Sequence, residues 1–428
     1  MKKHIKIIIS TASLLLASAT SHAQQYETIA ITGATLMPIT SPDIENGTII
    51  LKDGKIHSIG KNISIPSDAT VIDASGKVIM PGIVDTHSHV GASGDTNERS
   101  KKMNPEMRLI DSFNPSDPRI KVALAGGITT ANVMPGSGNV IGGQTIYIKY
   151  KGDTVDDMII DGSIGGMKFA NGTNPKGDKA PTTRMATASM ARTAFYEAKA
   201  YLEKKQAAEK SRKKDPPTFD IGKEALAEIL TGERILHFHS HRMDDIVTTL
   251  RLKEEFGFRL VIQHGTESYK LADMLAGVED VYVSHIVLDS HGGKHETMEL
   301  RLDGASKLEQ AGVKLALHSD DGVIDSRFLI RTAGLAMRGG LSRKGALESL
   351  TINGAYMLDL QDRVGSLEVG KDADLAIFDG DPLSLYTKVL ETWIEGEKVY
   401  DRSNPKHKLF ATGGYRIADR YLALEEGE

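Results

Sequence analysis

The 428-residue sequence has no cysteine, which excludes a disulfide framework, a cysteine zinc knuckle, an iron–sulfur cluster and a thiol nucleophile. Any metal must therefore be held by histidine, carboxylate or modified lysine. No apolar run is long enough for a normal membrane span. Neither sign of charge dominates: the net charge is −5, giving no electrostatic reason to expect a nucleic-acid partner. What is present, 40% apolar and 25% charged residues, is the composition of a packed globule, and disorder and collagen-like chains are excluded. The length suits one large α/β domain with a smaller one beside it.

Residues 1–23 (MKKHIKIIISTASLLLASATSHA) begin with Lys2, Lys3 and Lys6, run through apolar and small residues, and end Ser21-His22-Ala23. This is the pattern of a cleavable bacterial export signal, and the interrupted apolar run is too short to anchor the chain. The expected location is the periplasm or the medium, with no stable membrane anchor once the leader is removed. Absent cysteine is compatible with that, because disulfides there are permitted and not required.

Residues 24–80 are short, alternating and turn-punctuated, with Asn46-Gly47, Asp53-Gly54 and Ser75-Gly76 reading as tight turns between β-branched strands. The same texture returns in 361–428, in GSLEVGKDADLAIFDG and VLETWIEGEKVYD. The two ends are expected to meet as one small composite β domain, a β-sandwich built from both termini. Between them, in 81–360, eight apolar runs recur: GIVDTH, ITTANVM, TIYIKY, GMKFA, RILHFH, RLVIQH, VYVSHIVL and VKLALHSD. Several precede amphipathic helical patterns such as DDIVTTLRLKEEF. Repeated β–α units of this kind predict eight parallel strands in a TIM-type (β/α)8 barrel, with TIYIKY the weakest of the eight. The Lys-rich stretch 196–214 reads as a solvated exterior helix, because its charges lack interleaved aromatics.

The chemistry lies where the runs end. His87 and His89, two apart on a strand, point to one face, and at a barrel's C-terminal rim that face is the mouth. Paired imidazoles suit a divalent cation such as zinc. RILHFHSHR ends in His237, His239 and His241, RLVIQH in His264, and VKLALHSDD in His318, Asp320 and Asp321. Several strands delivering metal-competent groups to one rim favour a metal centre over coincidence.

These residues carry a resemblance. PGIVDTHSHV, GGITTANVM, VIQHGTE, ALHSDD and the closing VGSLEVGKDADLAIFDGDP are similar to the amidohydrolase superfamily, in its imidazolonepropionase-like and Xaa-Pro or Xaa-Arg dipeptidase-like branch. The resemblance covers essentially the whole chain after the leader. It implies an α/β fold, a TIM-type barrel with a composite β domain, and one or two divalent cations, Zn2+ foremost. His87 and His89 match the pair that binds the more buried metal, and His239 and His264 match the fifth- and sixth-strand histidines of a second. Asp320 matches the final-strand carboxylate that touches metal and shuttles protons. Lys168, in GGMKFA, stands where binuclear members carry a carboxylated lysine bridge; the alternatives are a Lys paired with a carboxylate and a single-metal site. Related chains often have a Glu in the following loop, where this one has Thr173.

The implied activity is hydrolysis of an amide C–N bond of a small molecule or short peptide by a metal-activated water, with Asp320 as the proton shuttle and His264 sharing that work if only one metal binds. His241 is expected to face substrate or to be structural, and His237 to pack within the barrel. Arg242 is expected to hold a substrate carboxylate or to form a surface ion pair. His285 is expected to reach substrate or to pack. His291 and His295 fall in a Gly-rich segment over the mouth, and residues 134–144 read as an active-site loop. Rival readings are a mononuclear deaminase of a cyclic amidine and a catalytically inactive periplasmic binding protein. Homo-oligomerisation is left open.

Overall fold

A computed structural model describes residues 27–413 except Ser93, Asp95, Arg212 and His291. Residues 1–26, within which the export signal is expected, the tail from 414 onward and His291 lie outside the described residues. Among those described, no helix is long and apolar enough to cross a membrane.

The N-terminal region forms β1 (Ile29–Leu36), β2 (Ile44–Lys52), β3 (Lys55–Gly60), β4 (Thr70–Asp73) and β5 (Val78–Pro81). All eight apolar runs of the middle region then form strands. They are β6 (Ile83–Ser88), β7 (Ile128–Val133), β9 (Ile146–Lys149), β10 (Gly166–Ala170), β11 (Ile235–Ser240), β12 (Leu260–His264), β13 (Val281–His285) and β14 (Leu315–Leu317), with a short β8 (Ile141–Gln144) leading into β9. The chain closes with β15 (Leu375–Phe378), β16 (Val389–Ile394) and β17 (Glu397–Asp401).

The strands make three mixed or parallel sheets, ordered β17-β16-β15-β5-β1-β2-β3 with β4 on β1, β14-β13-β12-β11-β10-β8, and β6-β7-β9. β6 and β7 are parallel, as are β10 to β14 in turn. The expectation of eight parallel strands needs correcting at the third run, since β9 is antiparallel to β7 and β8 antiparallel to β10. The physical reason is the kind of connection. Residues 134–145 between β7 and β9 carry the short β8 and no helix, so no helical crossover brings the chain round to run parallel to β7. The two middle sheets share the stretch 141–149, and at their other ends Asp320 N–H, just past β14, donates to the His87 carbonyl on β6 at 2.9 Å.

Helices flank these strands. Met243–Phe256 buries Ile246, Thr249 and Leu252 at helical spacing and stops at Gly257, whose φ of +78° is the left-handed cap that a side chain would disfavour. The Lys-rich helix Arg184–Lys210 is capped by the Thr183 hydroxyl and buries one stripe, Thr187, Ala191, Phe195, Ala198 and Tyr201. Arg184, Arg192 and Lys205 pair with Asp244, Glu255 and Glu224, and its other charges are exposed.

The terminal segments do pair: β5 bonds to β15, so both ends of the chain enter one eight-stranded sheet. Its strands are linked by hydrogen bonds as one sheet, where a sandwich implies two. Alternation along β15 shows how it serves two cores. Leu375 and Ile377 join Ile31, Ile49, Leu51, Ile79 and Trp393 on one face, whereas Ala376 and Phe378 join the large core of the middle region. Asp53-Gly54 makes the expected hairpin turn between β2 and β3, both residues at positive φ. Asn46-Gly47 does not: it lies inside β2, where the register with β1 slips, so the dipeptide's left-handed freedom serves a bulge.

Candidate metal centre

Six imidazoles and one carboxylate gather at the C-terminal ends of β6, β11, β12 and β14. Ligand-capable atoms of His87, His89 and Asp320 lie within 4.8 Å of one another, as do those of His239, His241 and His264, and those of His87, His264 and His318. Asp320 Oδ1 stands 3.1 Å from His89 Nε2 and 3.5 Å from His87 Nε2, and its Oδ2 is 4.0 Å from His264 Nδ1.

The ring nitrogens facing away from this centre are held by oxygen atoms. His87 Nδ1 meets Gln263 Oε1 at 3.0 Å, and His89 Nδ1 meets the Met134 carbonyl at 2.8 Å. Ser137 Oγ lies 2.9 Å from His239 Nδ1, Thr266 Oγ1 2.7 Å from His241 Nδ1, and Ser284 Oγ 2.7 Å from His318 Nδ1. An oxygen on the outer nitrogen sets the tautomer and ring plane and turns the inner lone pair toward a cation. His239 Nε2 is buried and has no hydrogen-bond partner. An orphan acceptor among imidazoles is costly in an apo protein and satisfied once a metal binds, so the donor set fits a divalent cation.

Backbone strain helps aim the groups. His264 and Asp320 have φ of +71° and +48°, the left-handed region that β-strand residues avoid. In β12, Gln263 already faces inward, touching the rings of His87 and His237. Strict alternation would send His264 outward, and its positive φ ends the strand conformation and returns the ring to the cluster. Asp85, buried below His87, accepts the Ser319 N–H at 3.1 Å and the Ser319 hydroxyl, tying β6 to the segment that carries Asp320.

Burial sets the protonation states. It pushes His87, His239 and His264 well below the usual imidazole range, with neighbouring cationic or imidazole groups adding to the effect. His241 falls to about 4 and His318 to about 3, both chiefly by burial. The rings of His87, His239, His241, His264 and His318 are therefore neutral and able to ligate. Burial alone would raise the Asp320 carboxyl, but the hydrogen bond and electrostatic attraction to His89, with smaller contributions from the His318 side chain and Lys168, hold it below its ordinary value. Lys168 is wholly buried on β10, and burial lowers its amine to about 7. Its Nζ meets His87 Nε2 at 3.2 Å and Met134 Sδ at 3.0 Å, and no carboxylate lies within ion-pair distance among the described residues.

The structure thus brings together His87, His89, Lys168, His239, His241, His264 and Asp320. Two expected substrate contacts are not in the cluster. Arg242 is engaged in its own turn, Nε to Asp244 Oδ1 at 3.0 Å and Nη2 to Oδ2 at 3.1 Å, because both flank the start of Met243–Phe256. His285 ends β13 but its ring packs beneath Gly304, where a Cβ would meet Nε2 at 3.4 Å, and burial lowers it to about 4. His237 is packed in the interior as expected, between Tyr147 Oη at 2.8 Å and Gln263 Nε2. The 134–144 segment reaches the site, supplying Met134 and Ser137.

Residues that sequence reasoning missed are the supporting ones: Gln263, Thr266, Ser284, Ser137 and Glu296. Gln263 and Ser284 carried a signal, as polar residues inside otherwise apolar strands.

A family model described as the amidohydrolase family matches residues 78–399. Among curated proteins, the chain is 28% identical over 393 residues to amidohydrolase tasK of Hapsidospora irregularis, covering 84% of this chain but only 39% of that protein's length. It is 24% identical to the imidazolonepropionase of Sphingopyxis alaskensis, covering 81% of this chain and 90% of that one. Among solved structures, an amidohydrolase from Thermotoga maritima MSB8 superposes with a TM-score of 0.83 at 38% identity, over 87% of this chain and all of that one (100%).

Proposed function

Because the chain belongs to the amidohydrolase family, and is thereby a hydrolase of C–N bonds, we propose that it is an exported, divalent-cation-dependent enzyme that cleaves the amide bond of a small molecule or short peptide. The observation that carries the reading is the gathering of His87, His89, His239, His264 and Asp320 from four separate strand ends. The middle strands are read as one eight-position (β/α)8 barrel. The shared stretch 141–149 and the Asp320-to-His87 backbone bond support that closure. The domain reading keeps 81–360 as the barrel, with 24–80 and 361–428 as the composite β domain. Export rests on residues 1–23 alone, and periplasm or medium is the proposed location.

His87, His89 and Asp320 would hold one cation, and His239 and His264, with Lys168 as a carboxylated bridge, a second. Zinc is the metal that the neutral imidazoles and single carboxylate suit best. When bound, the metal supplies Lewis acidity that polarises the scissile carbonyl and lowers the pKa of water. Asp320 presents Oδ1 to His87 and His89, leaving Oδ2 to accept the proton of the attacking water and return it to the leaving nitrogen. His264 Nδ1, 4.0 Å from Oδ2, shares that proton when the second cation is absent. Buried Lys168, with no carboxylate partner, is placed to react with carbon dioxide.

The test is elemental analysis of the purified protein followed by assay on N-acyl amino acids, dipeptides and cyclic amides. Stoichiometric divalent metal and chelator-sensitive amide hydrolysis are expected, with activity recovery dependent on bicarbonate if Lys168 bridges. Ammonia release from a cyclic amidine would move the assignment to a deaminase. A metal-free protein inert to the whole panel would mean a carrier.

A further inference from the structure

We propose that His239, His241 and His264 form a three-imidazole cation site faced by the Glu296 carboxylate, so that a second cation is held independently of Lys168. The inference rests on the cation-dependent reading above, reassigns His241 from substrate to metal, and makes a carboxylated Lys168 bridge dispensable for holding the second cation.

His239 and His241 are two residues apart at the end of β11, so both rings fall on the face that His264 also enters. The His239 ring centroid is 4.7 Å from that of His241 and 4.5 Å from that of His264. The His241 and His264 rings stack at 4.8 Å. Ligand-capable nitrogens of all three lie within 4.8 Å of one another. A tetrahedral cation with bonds of about 2 Å draws its ligand atoms to about 3.4 Å, so side-chain rotations of the order of 1 Å complete the set. The outer nitrogens of His239 and His241 are engaged by hydroxyls, Ser137 Oγ and Thr266 Oγ1, in the manner of metal-ligating histidines. His239 Nε2 has no partner.

The second, independent observation is Glu296. It comes from the loop after β13, far along the chain, yet is buried to 1% exposure at this site. Its Oε2 accepts the Thr173 N–H at 3.0 Å, and its Oε1 is 4.0 Å from His241 Nε2 and has no hydrogen-bond partner. A buried carboxylate with a free oxygen is expensive unless a cation faces it. Three neutral imidazoles bring no charge of their own, and a divalent ion on them gives Glu296 its partner. The Thr173 peptide N–H thus grips a carboxylate delivered by a loop far along the chain.

The experiment strips the full protein of metal by dialysis against a chelator. It is then titrated with Co2+ and Zn2+ in bicarbonate-free buffer, following cobalt absorption and bound metal by elemental analysis. Wild type and Lys168→Ala are expected to take two equivalents. His241→Ala should keep one and bind the second at least about a hundredfold more weakly. Thr266→Val, which keeps the imidazole but frees its outer nitrogen, should weaken the second equivalent by about 10–100-fold and guards against misfolding of the alanine variant. Glu296→Gln should weaken it by about tenfold. A second equivalent lost in Lys168→Ala, or unchanged in both His241→Ala and Thr266→Val, overturns the inference, as does a wild type that takes only one. A protein that takes up no cation at all overturns the hydrolase reading itself.

Discussion

Gln263 shows how much a single neutral side chain can govern. Its Oε1 holds His87 Nδ1 at 3.0 Å, its Nε2 meets His237 Nδ1 at 3.0 Å, and it has no access to solvent. Gln263→Leu keeps the volume and removes both bonds and a third, from Nε2 to the Thr86 carbonyl at 3.3 Å, so the protein should fold while metal affinity at His87 falls by about 10–100-fold, read by competition with a chromophoric chelator. Replacing the acting groups is harsher. His87→Ala and Asp320→Ala should each cut amide turnover at least about a thousandfold, as loss of a metal or proton-transfer centre does. A near-normal rate in Asp320→Ala would show that another carboxylate moves the proton. The site histidines and Asp320 were legible in the sequence because strand endings mark them. Gln263, Thr266 and Glu296 were not, because a neutral or loop side chain acquires its role only from whatever packs opposite.

At the scale of elements, β10 and β11 are pressed together where the site is built. Gly166 opens β10, and a Cβ there would stand 2.3 Å from His237 Cδ2 and 2.6 Å from Nε2. His237 cannot yield, because Tyr147 and Gln263 hold both ring nitrogens. Gly166→Ala should therefore cost about 1–3 kcal/mol in denaturant unfolding, the range for overpacking a filled core. An unchanged midpoint would mean that the ring has room to move. The eight runs were readable as strands from their apolar, β-branched text, yet their direction was not. Antiparallel β9 follows from a return to β7 through a strand and not through a crossover helix, which composition does not reveal.

For the whole molecule, the join between the middle strands and the terminal sheet adds a buried ion cluster to the apolar contact of Ala376 and Phe378. Lys149 on β9 is buried with Nζ 2.5 Å from Asp372, 3.0 Å from Asp374 and 3.1 Å from Glu395, while Lys55 and Arg363 also reach Asp372. Lys149→Met leaves buried Asp374 without its cation and takes one cation from Asp372 and from Glu395, and removing one partner of a buried ion cluster costs about 3–5 kcal/mol. Burial tends to raise Asp372 and Glu395, but Lys149 and its neighbours hold both below their ordinary pKa. Their contribution is therefore present above the unfolded carboxylate pKa of about 4 and is lost as pH falls through the lower folded values. The stability gap between wild type and Lys149→Met should be widest at neutral pH and shrink toward pH 3, measured by urea unfolding across that range. A gap independent of pH would assign the loss to packing and not to charge.

Local text by itself determined which stretches are strands, that the two ends share one texture, and that imidazoles and a carboxylate terminate several runs. Those features are written in side-chain periodicity and in residues adjacent along the chain. Only the tertiary structure decided the direction of the third strand, the capture of Arg242 by Asp244, the withdrawal of His285 beneath Gly304, and the arrival of Glu296 beside His241. Each of these depends on which groups lie within a few ångströms across gaps of backbone that no local pattern encodes.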